Sequence, residues 1–134
     1  MNPVSHTQFP KIQSERYRIL AVLGSGAVGT VYKAEDTLLS KTVAIKKLNK
    51  NALASDAARF HREAKLMAKL NHPHCVNVYD FGETPDGVLN IVMECLQGRT
   101  LADELISKER LSLGETLSVL RQVSLALQRS HDLF

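Results

Sequence analysis

Cysteine is scarce in this chain of 134 residues: there are two, Cys75 and Cys95. They are too few and too isolated for a disulfide framework, and they fit a reducing compartment where a buried thiol acts as a small hydrophobe. No apolar run approaches the ~18 residues that a membrane span requires. The stretch Met1–Pro10 has neither the basic start nor the apolar core of a secretion signal. Neither sign of charge dominates, since 17 Lys and Arg against 14 Asp and Glu leave a net +3. The basic residues are scattered rather than gathered into a stripe, which points to a solvated surface and not to a nucleic-acid face. Internal repeats and low-complexity segments are also missing. These absences lead us to expect a cytoplasmic protein with no membrane segment and no nucleic-acid partner. With 44% hydrophobic residues, the chain can fill one core.

Residues 1–14 are polar, carry two prolines, and read as a loose tail. From Tyr17 the pattern changes. Tyr17–Leu23 is a short apolar run that predicts a strand, and Gly24-Ser25-Gly26-Ala27-Val28-Gly29 ends it. Thr30–Lys33 predicts a second strand and Thr42–Leu48 a third, joined by a turn between Asp36 and Lys41. A helix follows, with Ser55 as its cap, Asp56 in its first turn and Phe60, Ala64 and Met67 at helical spacing. Asn71-His72-Pro73 stops it. Two more strands are expected near Cys75–Phe81 and Val88–Glu94, around the turn chemistry of Glu83–Gly87. Gly98 marks a break. A short helix over Leu101–Ile106 then precedes a longer one, which Ser112 and Glu115 open as a capping box.

The glycine loop has several candidate chemistries, because a lone G-x-G-x-x-G is shared by unrelated phosphate sites. In the dinucleotide fold the third glycine opens a helix, and an acidic residue follows about 20 positions on. Here Gly29 leads into Thr30-Val31-Tyr32, which is strand material, and no Asp or Glu lies between Asp36 and Asp56. The P-loop needs Lys directly after its final glycine, where Thr30 stands. A tight hairpin with no ligand stays open on the loop alone.

Downstream residues separate these readings. Gly24-x-Gly26-x-x-Gly29-x-Val31, followed by Val43-Ala44-Ile45-Lys46, resembles the glycine flap and third strand of protein kinases. The resemblance covers Tyr17 to Phe134 and is closest in flavour to bacterial serine/threonine kinases, on stretches such as Val92-Met93-Glu94-x-Leu96-x-Gly98-Arg99-Thr100-Leu101. It implies an α+β fold: a kinase N-lobe of five antiparallel strands and one main helix over 15–97, then two helices of a C-lobe over 98–134. It also implies ATP as cofactor. Leu23, Gly24, Ser25, Gly26, Ala27, Val28 and Gly29 would cover the nucleotide. Val28 stands at the loop tip where the family often has an aromatic. Val31 and Ala44 would roof the adenine, with Met93 as gatekeeper and the backbone of Glu94 and Leu96 bonding the adenine edge. Lys46 would meet the phosphates, held by Glu63 of the following helix. Met67 would pack against Val78.

The family's catalytic loop and D-F-G aspartate supply the base and the magnesium ligands. No H-R-D-L stretch occurs in these 134 residues, and the magnesium-binding D-F-G aspartate, which follows that loop in the family, is expected to be absent as well. His131-Asp132-Leu133 fits a helix end and takes no catalytic role. His72, His74 and Cys75 read as a structural turn, with no metal, because no second ligand pair sits at zinc spacing. We therefore expect weak ATP binding and no phosphoryl transfer to a protein hydroxyl by these residues alone. The apolar stripe Leu113, Leu117, Leu120, Val123 and Leu127 would favour self-association. Three readings remain: a fragment of an intact kinase, a non-catalytic module binding nucleotide or protein, or one half of a split kinase.

Overall fold

The computed structural model describes residues 14–133, so the expected tail falls almost wholly outside them. A 3-10 turn, Ser14–Arg16, leads into strands β1 (Tyr17–Ser25), β2 (Gly29–Asp36) and β3 (Lys41–Leu48). Helix α1 (Ala54–Lys69) follows, then β4 (Val78–Glu83), β5 (Leu89–Glu94), α2 (Leu101–Lys108) and α3 (Leu113–Leu133). The strands form one five-stranded antiparallel sheet in the order β1-β2-β3-β5-β4. This is the α+β architecture that the resemblance implies.

Strand alternation divides the core between the two faces of the sheet. Tyr17, Ala34, Val43, Ile45 and Val92 cluster on the outer face. Leu48, Leu89 and Ile91 turn inward and meet Phe60 and Ala64 of α1, with Ala52, Ala57, Val78 and Phe81 at the edge. Phe60 and Ala64 are four apart, so they lie on one helix face, and both are buried. That contact fixes α1 across the inner face and decides where Glu63 can reach.

Polar locks hold the first hairpin. Arg16 donates to Asp36 through Nε at 2.9 Å and Nη2 at 2.6 Å. Asp36 also accepts the N–H groups of Leu38 and Leu39, closing the turn into β3. The Arg16 hydrogen bonds hold its carboxyl below the usual range. The Tyr17 hydroxyl donates to Asp80 at 3.2 Å. Burial, reinforced by the Asp80 charge, pushes that phenol up to about 12.

Three expectations need correction. Helix α1 starts two residues earlier than a Ser55 cap allows, because the Asp56 carboxylate accepts the Leu53 N–H at 3.1 Å and makes Leu53 the cap position. Strand β4 begins at Val78 and not near Cys75, since the Cys75 N–H donates to the His72 carbonyl and continues the turn. Helix α2 runs to Lys108 rather than Ile106, prolonged by the Lys108–Glu104 pair at 3.3 Å. The capping box of α3 is formed as expected, with Ser112 N–H to Glu115 at 2.8 Å and Glu115 N–H to Ser112 Oγ at 3.2 Å. No described helix is long and apolar enough to cross a membrane.

Candidate nucleotide site

The sheet register builds one row of candidate residues across four strands. Gly24 pairs with Val31, Val31 with Lys46, and Lys46 with Ile91. Next to it, Ala44 pairs with Met93, and Met93 with Val78. Val31, Ala44, Lys46 and Met93 therefore share the inner face, the one that α1 crosses. The register of β1 slips between Val22 and Gly24, which leaves Leu23 as an exposed bulge residue directly before the loop.

Lys46 and Glu63 come together. The ammonium of Lys46 stands 3.4 Å from Glu63 Oε1 and 5.6 Å from the centre of the Phe60 ring. The side chains are 29% and 47% exposed, so solvent screens the pair and its contribution to stability is at most about 1 kcal/mol. What the pair does is positional. It fixes a cation on the inner face, opposite Val31 and one register step from the glycine loop.

The three glycines are not equivalent. A Cβ added at Gly29 would lie 3.2 Å from the Lys47 carbonyl carbon and 3.5 Å from Leu48 Cα, and closer still to the Lys47 oxygen. Gly29 is therefore required by the close approach of β2 to β3. At Gly24 an added Cβ would meet nothing within 4 Å, and at Gly26 only the Gly29 carbonyl at 3.9 Å. Neither has a positive φ. Packing and backbone conformation leave both positions free to carry a side chain, so bare backbone at 24 and 26 fits an approaching ligand. The N–H of Gly26 donates to the Gly29 carbonyl at 2.9 Å and closes the loop over Ala27 and Val28. The hydroxyls of Ser25 and Thr30 stand 3.3 Å apart at its base.

At the end of β5, the Glu94 N–H donates to the Asn77 carbonyl at 2.9 Å, and its carboxylate accepts from Asn77 Nδ2 at 3.2 Å. This anchors the exit strand before Leu96, which is exposed. Gly98 has φ 122°, a backbone that other residues rarely adopt, and it turns the chain into the Thr100-capped α2. A groove of about 600 Å³ opens below this exit, walled by Pro73, Cys75 and Leu96 on one side and Val119, Val123 and Leu127 of α3 on the other. The His72 and His74 rings sit 5.3 Å apart, and the His74 N–H donates to His72 Nδ1, which completes the turn. His131 and Asp132 lie in the last turn of α3.

One residue escaped the sequence reading. Asn49, just past β3, donates its backbone N–H to the Val28 carbonyl at 2.9 Å. Its Nδ2 donates to the carbonyls of Ala27 at 2.9 Å and Gly26 at 3.3 Å. A polar residue after a strand is ordinary in sequence, and only the folded hairpin brings it to the loop tip.

The residues fit a nucleotide: a cation tethered for the phosphates, bare backbone beside it, and an apolar row of Val31, Ala44 and Met93. No three His, Cys, Asp or Glu side chains among the described residues converge on a point that would hold a metal ion by themselves. The model of the protein kinase domain matches residues 17–134. Serine/threonine-protein kinase PrkC of Bacillus subtilis is 40% identical over 122 residues, covering 89% of this chain and 18% of that protein. Serine/threonine-protein kinase pkn3 of Myxococcus xanthus is 38% identical over 118 residues, covering 87% of this chain and 22% of that protein. Serine/threonine-protein kinase PknE of Mycobacterium tuberculosis is 37% identical over 118 residues, covering 86% and 20%. The chain spans about a fifth of the length of these relatives. With the domain model matched over residues 17–134, and the glycine loop, the β3 lysine and the α1 glutamate in that order along the chain, the chain belongs to the protein kinase family.

Proposed function

We propose that residues 15–97 are the ATP-binding lobe of a serine/threonine protein kinase and that residues 98–134 open its second lobe. The observation that carries this reading is the Lys46–Glu63 contact of 3.4 Å, in register with Val31 and Gly24. Lys46 would hold the α and β phosphates, and Glu63 would keep its ammonium on the inner face when no phosphate is there. Val31 and Ala44 would cover the adenine beside Met93, while the Glu94 carbonyl and Leu96 N–H would bond its edge. Bound ATP supplies the phosphoryl group that the complete enzyme passes to a protein hydroxyl, with magnesium as the family's metal.

These residues bind and orient; they do not complete the transfer. The aspartate that takes the hydroxyl proton belongs to an H-R-D loop that the 134 residues do not contain, and the tripeptide Asp80-Phe81-Gly82 lies on β4, ahead of that loop's place, with Asp80 engaged by the Tyr17 hydroxyl. We expect the isolated chain to bind an ATP analogue weakly and to transfer no γ-phosphate. Calorimetric titration with a non-hydrolysable ATP analogue tests this, with Lys46→Met as the control. Equal affinity in the two proteins would overturn the site, and turnover above that control would overturn the inactivity. The exposed wall of the 600 Å³ groove gives some weight to a second reading, in which another polypeptide completes the fold.

A further inference from the structure

We propose that Asn49 is the positioning residue of the glycine loop, turning the loop's N–H groups toward the Lys46 face by holding its carbonyls from the opposite side. The inference rests on the nucleotide reading above. Asn49 donates to three consecutive carbonyls, those of Gly26, Ala27 and Val28, at 3.3, 2.9 and 2.9 Å. All peptide bonds here are trans. In a planar trans peptide the carbonyl of one residue and the N–H of the next point in opposite directions. A Gly26 carbonyl aimed at Asn49 therefore aims the Ala27 N–H away from it, and the Ala27 carbonyl does the same for the Val28 N–H.

The side on which Asn49 stands decides where those N–H groups go. Asn49 lines a recess with Thr30, Tyr32 and Lys47. Tyr32 pairs with Ile45, a member of the outer core, and Thr30 pairs with Lys47. Asn49 thus grips the loop from the outer side, and the Ala27 and Val28 N–H groups face the inner side with Val31 and Lys46. A phosphate offers only acceptors, so carbonyls turned toward it would repel and N–H groups attract. The latch supplies that orientation before any ligand arrives, which lowers the ordering cost of binding. An asparagine suits the task because it is uncharged and presents two side-chain donors. An aspartate of the same shape would set its own oxygens against the carbonyls.

The test uses the 134-residue chain with Asn49→Asp and Asn49→Ala, titrated with a non-hydrolysable ATP analogue and separately with adenosine. We expect Asn49→Asp to weaken the analogue about tenfold, the loss of one to two hydrogen bonds to a charged group, and to leave adenosine unchanged. Equal weakening of both ligands, or no change in either, would overturn the proposal. A second measurement needs no variant: the Ala27 and Val28 amide resonances of the wild-type chain should shift on addition of inorganic triphosphate. Unmoved resonances overturn the latch even if both variants misfold. Failure of the nucleotide reading looks different, because the wild-type chain would then bind neither analogue nor adenosine.

Discussion

Gly29 lies against the backbone of Lys47 so closely that a methyl group at 29 would stand 3.2 Å from the Lys47 carbonyl carbon. Strand β2 cannot keep its register with Leu48 if that glycine gains a side chain. Gly24, five residues earlier in the same loop motif, has nothing within 4 Å of its added Cβ. One motif therefore contains a glycine needed by the fold and a glycine that the fold does not need.

The two should separate experimentally. Gly29→Ala should destabilise the chain by about 1–3 kcal/mol through overpacking against β3. Gly24→Ala should change stability by no more than about 0.5 kcal/mol, as for a surface substitution, while lowering affinity for an ATP analogue. Urea denaturation and ligand titration of both variants check this. Equal destabilisation would mean that the space above Gly24 is not available to a ligand.

The Lys46–Glu63 pair gives a second separation. Its partners are 29% and 47% exposed, so Glu63→Gln should alter stability by less than about 1 kcal/mol. The effect on nucleotide affinity should be larger, because an unheld Lys46 side chain must be ordered at the moment of binding. A double-mutant cycle with Lys46→Met, read by calorimetry on an ATP analogue, should show the two substitutions to be strongly non-additive. Additive losses would mean that Glu63 acts elsewhere.

Much of this arrangement was legible in the sequence. The glycine loop, Val43–Lys46 and the spacing from Glu63 to Pro73 each carry a local signature, and the sheet register joins them as alternation implies. Positions 44, 46 and 48 share a face because a strand has period two, whatever surrounds it. What stayed hidden depends on contacts made only after the chain folds. The Leu53 cap is set by a carboxylate reaching back three residues. Strand β4 starts late because His72 and Cys75 are already committed to a turn. Asn49 meets the loop only when β1 and β2 fold back over the end of β3.

The link between α2 and α3 should respond to acid. Lys108 Nζ stands 2.6 Å from Glu115 Oε1, and Ser112 N–H donates to the same carboxylate. The Lys108 hydrogen bond, with help from Ser112, pulls the Glu115 carboxyl down to about 2 from its ordinary 4.5. A carboxyl depressed in the folded state stabilises that state fully above its unfolded value, and the contribution disappears as pH falls through the folded one. The stabilising effect should therefore be complete above pH 4.5 and lost between 4.5 and about 2. Carbon-detected NMR titration of Glu115 checks the value. A Glu115→Gln variant should show a smaller loss of thermal midpoint over that window than the parent chain.

Helix α3 presents Leu113, Leu117, Leu120, Val123 and Leu127 to solvent, with Leu117 and Leu120 each 57% exposed. No residue of α3 is buried. The wall it turns to the groove uses Val119, Gln122, Val123, Ala126, Leu127 and Ser130, so most of the leucine stripe points elsewhere. An apolar stripe of this length in water favours any arrangement that covers it, and a second copy is always at hand. Sedimentation velocity on the 134-residue chain should show mass rising with concentration across the micromolar range. Leu117→Glu with Leu120→Glu should restore a single monomeric species, since two like charges at i and i+3 would repel those of a facing copy. A parent chain that stays monomeric at high concentration would show that the stripe is too weakly apolar, or too mobile, to drive association.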